Sequence, residues 1–490
     1  MAATALSMMT GVAFAQSNEA QIDQVGTGNS VAITQSGSDN AAGNATLRML
    51  QTNTRTSGQG HRLTITQTGN ENSVGETAVG TTSNGVRQVG NNSHSASITQ
   101  SSNNTVGSIE QIGVGSFSSS PTNVLTINQG TATTGGNSIG TVYQNQVNGK
   151  NANTATIVQS GSDNAISRVF QTAGSNGGSH PAEWRNVVDV TLSGDRNGGS
   201  LLTGYAAASG ATSSAIIQGT FNSAGFRNVA SISISGDDNA FGVTQNGSNN
   251  SIGVVTITGS DNQLGIFQQG ELQGNVANVF SNRATISTIE GSNNNIGIRQ
   301  VGLAAGGVGN TLTLNVLRSD SNGNDVNVSS TGVNDVAINI GTVGGSSDND
   351  ITVTQDGFNS AAVEIEAGNS NSFDIQQSGG ETADNSADVF ISGSFNGAGT
   401  FTAGGASAAL GLTAGVISQA GSGNTVNLSI GDNTVPSNNN LVALAQTGAT
   451  NSISSVIDGS NNQIAIAQTG NSNSAATTQT GSFNVIGISQ

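Results

Sequence analysis

The feature that most constrains this chain is a period. From Gln446 onward it reads QTGATNSISSV, IDGSNNQIAIA, QTGNSNSAATT and QTGSFNVIGIS before a closing Gln490, four units of eleven residues without a gap. The first position is Gln446, Ile457, Gln468, Gln479 and again Gln490. Glycine stands two later (Gly448, Gly459, Gly470, Gly481) and asparagine five later (Asn451, Asn462, Asn473, Asn484). A fixed period is the mark of a stacked repeat architecture. Asn484, Ile486, Ile488 and Gln490 are spaced by two, so a strand turns all four to one face while Val485, Gly487 and Ser489 look the other way. The glycine and small polar residues between Gln479 and Asn484 suit a tight turn. One unit is therefore a seven-residue strand and a four-residue turn, and two units make a strand–turn–strand–turn coil of about 22 residues. A lone coil of that size buries too few aliphatic side chains to offset the ordering of its backbone, so it must stack on others. The fold class is then all-β: a long β-solenoid of such coils with two parallel sheets.

The pattern begins early. Gln24, Gly26 and Asn29 are followed by Val31, Ile33 and Gln35, and Gln35 opens the next turn with Gly37 and Asn40. It returns at Gln67/Asn72, Gln159/Asn164, Gln245/Asn250 and Gln419/Asn424 before the closing run of Gln446/Asn451, Gln468/Asn473, Gln479/Asn484 and Gln490. A sister pattern starts with an aliphatic, as at Leu192, Ile234, Ile257, Ile289 and Ile391. Buried amides are normally costly. In stacked, in-register strands each Asn or Gln can bond the identical amide of the next coil, as in cross-β stacks. These Gln and Asn positions are the expected structural ladder, with Gly26 and Gly37 at its turns. Val31, Ile33, Ile252, Ile296, Ile298, Val426, Leu428, Ile453, Ile464, Ile466, Ile486 and Ile488 are expected to point inward beside them.

With 8% charged and 3% aromatic residues among 490, composition alone would read as disorder. The period overrules that, because small β-branched residues at every second position can fill a thin core. Residues 16–490 are expected to form one repeat domain of roughly twenty coils, each of the ~22 residues that the period sets. Residues 1–15 end in Ala13-Phe14-Ala15 and read as a signal peptide segment that is removed. Insertions are expected to bulge from turns at Gly174–Val187, Gly198–Ser214, Leu303–Gly309 and Gly397–Ala414, the first holding the single Trp184. No stretch sustains a helical apolar period, so almost no helix is expected outside residues 1–15.

The chemistry that a sequence can advertise is thin here. A net charge of −17 spread along the chain lacks the basic stripe that nucleic acid requires. There is no cysteine for a disulfide or thiolate metal site, and no apolar run reaches the ~18 residues of a membrane span. His61, His94 and His180 are scattered at loop-like positions and are expected to be solvated, leaving nothing to position a base or a metal. Asp39, Asp163, Asp237, Asp238 and Asp261 recur in turns without the spacing of a calcium β-roll, and Asp favours turns for its own reasons. Thr64/Thr66, Thr311/Thr313 and Thr352/Thr354 are isolated pairs rather than an ice-binding array. No catalytic residue, cofactor or metal ligand is assigned, and no enzyme activity is expected.

A repeat of Gln-x-Gly-x-x-Asn-x-φ-x-φ-x-Gln, where φ is aliphatic, resembles the curlin repeat of curli subunits. Gln24 to Ala41 and Gln468 to Val485 are close matches. The Gln, Gly and Asn of that motif carry over to the positions given; its leading Ser is not regular here, and the chain is far longer than a five-repeat subunit. The resemblance implies a secreted, self-assembling component of an extracellular, cell-surface amyloid fibre used in adhesion and biofilm matrix. It also implies export through an outer-membrane secretion pore and, as a further partner, a minor nucleating subunit. The alternative is a capped, monomeric β-solenoid that binds or cleaves polysaccharide, which would need an acidic cluster or aromatic groove. On the fibre reading, the edge formed by Ile486, Ile488 and Gln490 is the expected site of self-association, because the last four units are the most regular and Asp458 is their only charge.

Overall fold

The structure is a computed structural model. It describes residues 17–55, 59–78, 84–114, 123–131, 133–147, 152–173, 185–219, 228–270, 282–286, 288–302, 309–315, 320–341, 345–379, 383–397, 399–402, 411–431 and 436–490. The proposed signal segment, Trp184, His180, most of the expected insertions Gly174–Val187 and Leu303–Gly309, and half of Gly397–Ala414 lie outside these. The chain divides into two compact units. One comprises Met1–Leu201, Thr212–Ser251 and Glu271–Ala277; the other Leu202–Ala211, Ile252–Gly270 and Asn278–Gln490.

Both units are built from parallel strands in a β-solenoid-like winding. In the first unit the earliest strands pair with the third strand along and the later ones with the next but one, so the ladders form two main series. One runs from Ile22–Val25 through Arg48–Asn53, Asn84–Gly90, Thr105–Val114, Ser138–Val147, Ala165–Ala173 and Ala215–Gln218 to Ala240–Asn246. The other runs from Ser30–Ser36 through Arg62–Thr68, His94–Ser101, Asn123–Gln129, Asn153–Gln159 and Asn186–Leu192 to Val229–Ile234. A third, two-residue series links Glu19–Ala20, Ala41–Ala42 and Ser73–Val74. Thr105–Val114 then pairs with both Ser73–Val74 and Asn84–Gly90, so one long strand takes over a corner that earlier coils make from two pieces.

The second unit departs from the expected pair of separate sheets. Asp325–Ala337 is a 13-residue strand. Its first half pairs with Asn295–Gly302 and its last residues with Thr311–Leu314, so the two series join in one sheet. Asp350–Ala362 follows the same course beside it. The corner is passed without a break because Gly332 and Gly357 stand there with φ of 111° and 104°. Ser452–Asp458 and Ser474–Thr480 form a separate two-stranded ladder.

Alternation sets the core. In Arg62–Thr68 the side chains of Leu63, Ile65 and Gln67 are buried while Arg62 and Thr68 are exposed. Ile252, Ile296, Ile298, Val426, Leu428, Ile453, Ile464 and Ile466 are all buried. Val31 and Ile33 are half-buried between exposed Ser30, Ala32 and Thr34, and Ile486 and Ile488 are half-buried between exposed Val485, Gly487 and Ser489. A shift of register by one would have reversed these faces. The turns are held by residues in the left-handed region just before the motif Asn: Asp39, Asp163, Asp238 and Asp261 have φ of 56–57°, a conformation that short Asx side chains tolerate.

Coil length is less regular than the closing period implies. Gln446 and Gln468 are partners 22 residues apart, but Gln35 and Gln67 are 32 apart and Gln171 and Gln218 are 47 apart. Where a coil is longer than 22 residues, fewer coils fit in the same length of chain. The insertion at Gly198–Ser214 contains a short helix, Gly204–Ala208. Its end is anchored from outside: Thr203 donates from its backbone N–H to Gln263 Oε1 (2.7 Å), Ala206 N–H to Asn295 Oδ1 (2.7 Å) and Tyr205 O–H to Asp350 Oδ1 (2.9 Å).

Candidate functional site: the amide ladders

Most inward Gln residues are buried in the coil interior, where water cannot satisfy the amide, while Gln24 and Gln35 are half-buried and Gln490 is exposed. In the first unit Gln24 Nε2 donates to Gln51 Oε1 (2.7 Å). The relay continues Gln51–Gln88, Gln88–Gln111, Gln111–Gln144, Gln144–Gln171, Gln171–Gln218 and Gln218–Gln245 at 2.6–2.9 Å. A second relay runs Gln35–Gln67–Gln100–Gln129–Gln159 at 2.8–2.9 Å. It ends where Gln159 faces Leu192, a residue of the aliphatic sister pattern, in the next coil. In the second unit Gln355 donates to Gln377, and the relay passes through Gln419, Gln446 and Gln468 to Gln490 at 2.7–3.0 Å.

The asparagines form their own columns at the turns. In the first unit Asn72 Nδ2 donates to Asn40 Oδ1 (2.9 Å), and Asn137, Asn164, Asn197 and Asn239 each donate to the Asn before them at 2.9–3.0 Å. Asn250 donates likewise to Asn228 (3.1 Å). In the second unit Asn424 bonds Asn385, and Asn451 bonds Asn424, both at 3.1 Å. Asn473 meets Asn451 Oδ1 through its backbone N–H (3.0 Å), and Asn484 Nδ2 reaches Asn462 Oδ1 (3.0 Å).

The orientation of each amide is forced by the backbone. Asn40 Oδ1 accepts from the Asn72 backbone N–H as well as from its amide, so that atom must be oxygen. Gln67 Nε2 donates to the Ala41 carbonyl (2.9 Å) as well as to Gln100 Oε1, so that atom must be nitrogen. Gln columns consequently donate toward the following coil and Asn columns toward the preceding one, and their dipoles oppose. Fully bonded, these buried amides avoid the penalty of unmet polar groups, which is about 1–3 kcal/mol each.

The turn glycines follow from close stacking. Gly37 has φ of 104°, and a Cβ there would fall on the carbonyl oxygen of Gly69. Gly26, with φ of 92°, meets the carbonyl of Asn53 in the same way. Asn29 is half-buried and donates to the Val25 carbonyl (2.9 Å). Gln479 is placed apart from the other named residues: it faces Ile457 rather than an amide, and its buried Oε1 has no hydrogen-bond partner. Gln300 is followed in its column by Ser330, whose Oγ donates to Gln355 Oε1 (3.1 Å).

Two residues of the columns were read differently from sequence. His61 and His94 are fully buried, not solvated. They occupy the Asn column between Asn29 and Asn123. Their rings stack, with centroids 4.8 Å apart and planes within 2°. Burial lowers both pKa values, His94 to about 3 with His61 as the next cause. The signal was in the spacing: His61-x-Leu63-x-Ile65-x-Gln67 repeats Asn29-x-Val31-x-Ile33-x-Gln35, with His in the Asn place.

Amide columns of this kind, spaced by Gln-x-Gly-x-x-Asn, coincide with what family comparison finds. The curlin-associated-repeat family matches at residues 15–43 and 347–379. The chain carries curlin-associated repeats at both stretches. The first match spans Gln24 to Asn40, where both first-unit Gln relays begin, and the second contains Gln355 and Gln377. No curated protein matches the chain. At the level of the family, the curlin repeat marks a curli-type structural component, not an enzyme, and its members self-assemble into extracellular fibres. No described helix of this chain is long and apolar enough to cross a membrane.

Proposed function

We propose that the chain is a subunit of a self-assembling, extracellular amyloid fibre that serves cell adhesion and the biofilm matrix. The observation that carries this is the directed amide ladder. Gln columns donate in one direction and Asn columns in the other, so a second copy can extend both only if it stacks head to tail. At the far edge of the second unit, Gln490 receives a bond from Gln468, and Ile486 and Ile488 are half-buried beside it. The backbone of Val485–Ser489 pairs with Gln463–Thr469 along one side, and its other side is the template for another chain. The incoming coil would be the one around Gln24 to Gln35. In the fibre, the two series of strands become its two facing sheets.

On this reading residues 1–15 direct export and are removed, and 16–490 act as one repeat domain. The chain passes an outer-membrane pore unfolded and folds outside, with a minor nucleating subunit as its starting surface. Purified protein should bind Congo red and thioflavin and form fibres visible by electron microscopy. Replacing Ile486 and Ile488 by Lys should slow fibre elongation while strand content is kept. A protein that stays monomeric under all conditions would sink the fibre reading; unchanged elongation in the Lys variant would move the growing edge elsewhere.

A further inference from the structure

We propose that the stacked pair His61–His94 is an acid-sensitive joint, which holds three successive coils of the first unit together at neutral pH and releases them in mild acid. The inference is independent of fibre formation.

The geometry is specific about protons. His61 Nε2 lies 3.0 Å from the Thr52 carbonyl oxygen, which can only accept, so this nitrogen carries the ring hydrogen. His61 Nδ1 lies 3.3 Å from the backbone nitrogen of His94, which can only donate, so this nitrogen must be bare. His94 Nε2 likewise faces the Val89 carbonyl oxygen (3.3 Å). A neutral ring with its hydrogen on Nε2 is therefore part of the coil-to-coil bonding. A proton added at His61 Nδ1 replaces an acceptor by a donor facing a donor. It breaks that bond and places a cation in a dry column. An Asn in the same place has no titratable group and would not respond.

The groups placed against the rings are amides and backbone carbonyls. Around the rings stand Asn29 and Asn123 in the same column, and the carbonyls of Thr52, Val89 and Gly90 across the coil. His61 is the titratable neighbour that disfavours a charge on His94, and the groups that act on His61 are the backbone carbonyls of Thr52 and Gly90. The chain next to the joint is also less well satisfied than elsewhere. Asn92 Nδ2 donates to Gln146 Oε1 (2.7 Å), but Asn92 Oδ1 and Gln146 Nε2 are buried without partners. Ring position is tightly set: a Cβ at Gly113 would stand 2.7 Å from His94 Cε1.

The sign follows from linkage. The rings titrate near the usual imidazole value of 6.5 when exposed and lower when folded, to about 3 for His94. The unfolded or opened form thus binds more protons below that range, and stability present at neutral pH is lost as pH falls from there toward the folded value.

The test is hydrogen exchange of the full chain at pH 7.5 and 5.5, corrected for the intrinsic pH dependence, read on peptides covering 62–68 and 94–101. This window lies above the titration of ordinary carboxylates. Wild-type protection should fall about tenfold for each histidine that must charge on opening, so up to about a hundredfold for the pair. The H61N/H94N variant should lose this drop, and H180N should keep it. Should the double variant fold poorly, H94N alone is expected to remove about half of the logarithmic change. Wild-type protection unchanged between the two pH values, or an equal fall in the Asn variants, would overturn the proposal.

Discussion

The relay from Gln24 to Gln245 and the relay from Gln355 to Gln490 make the same bonds over very different lengths of chain. In the first unit, successive Gln partners are separated by as few as 23 and as many as 47 residues. At the end of the second, Gln446, Gln468 and Gln490 are separated by 22 each time. Donor–acceptor distances do not follow this difference: 2.6 Å and 2.9 Å at the two extremes of the first unit, 3.0 Å and 2.7 Å in the regular coils. Register is thus held by what faces inward, and extra residues leave at the corners. A uniform period is sufficient for this fold but not needed for it.

The strongest way to break that comparison is to remove one rung from each relay. Gln144→Leu leaves Gln111 Nε2 and Gln171 Oε1 without their amide partner, and Gln446→Leu does the same to Gln419 and Gln468. Two buried polar groups are affected in each case, so each variant should lose roughly 2–6 kcal/mol, measured by urea unfolding followed by circular dichroism. Similar losses are expected in the irregular and the regular region. A Gln144→Leu variant as stable as wild type would mean that chain length, not the ladder, fixes register.

A smaller contrast separates stacking from turn conformation. Gly448 has φ of 114°, and a Cβ there would collide with the carbonyl oxygen of Gly470 in the next coil. Gly423 has φ of 64°, and a Cβ would stand 3.4 Å from Ala383 Cβ, an ordinary contact. Gly423→Ala should therefore cost about 1 kcal/mol, the left-handed strain alone. Gly448→Ala should cost roughly 3 kcal/mol, since strain is joined by a backbone clash. Equal losses in thermal unfolding would remove the argument that motif glycine exists for close stacking.

Much of this was legible in the sequence, for a physical reason. A period of two on a strand and a fixed offset from Gly to Asn are one-dimensional, and they place Val31, Ile33, Ile464 and Ile466 on the correct face. What was not legible depends on corners. Nothing local in Asp325–Ala337 says that its strand continues round the bend and joins two series of ladders. Nor does Gly198–Ser214 advertise a helix, because Gly204–Ala208 is held by Gln263, Asn295 and Asp350, which lie far along the chain. The histidines are a different failure. Their position in the motif is readable, but residue type alone points to a polar, solvated side chain. Burial in a stack reverses that expectation once the ring nitrogens can take over the hydrogen bonds of an amide.

The smallest expected effect tests whether the turns contribute through charge or through conformation. Arg196 and Asp238 occupy corresponding turn places in neighbouring coils, both left-handed at φ of 56° and 57°. Their ion pair is bidentate, with Nε to Oδ1 at 2.8 Å and Nη2 to Oδ2 at 2.6 Å. The side chains are 57% and 39% exposed, so water and salt screen the attraction and holding the long Arg side chain offsets part of it. The left-handed backbone, by contrast, strains Arg continuously and is tolerated better by Asn. Arg196→Asn should therefore leave the unfolding midpoint unchanged or raise it slightly, and added salt should barely alter the difference. A clear drop at low ionic strength that vanishes in high salt would show that charge pairing across the turn matters more than its conformation.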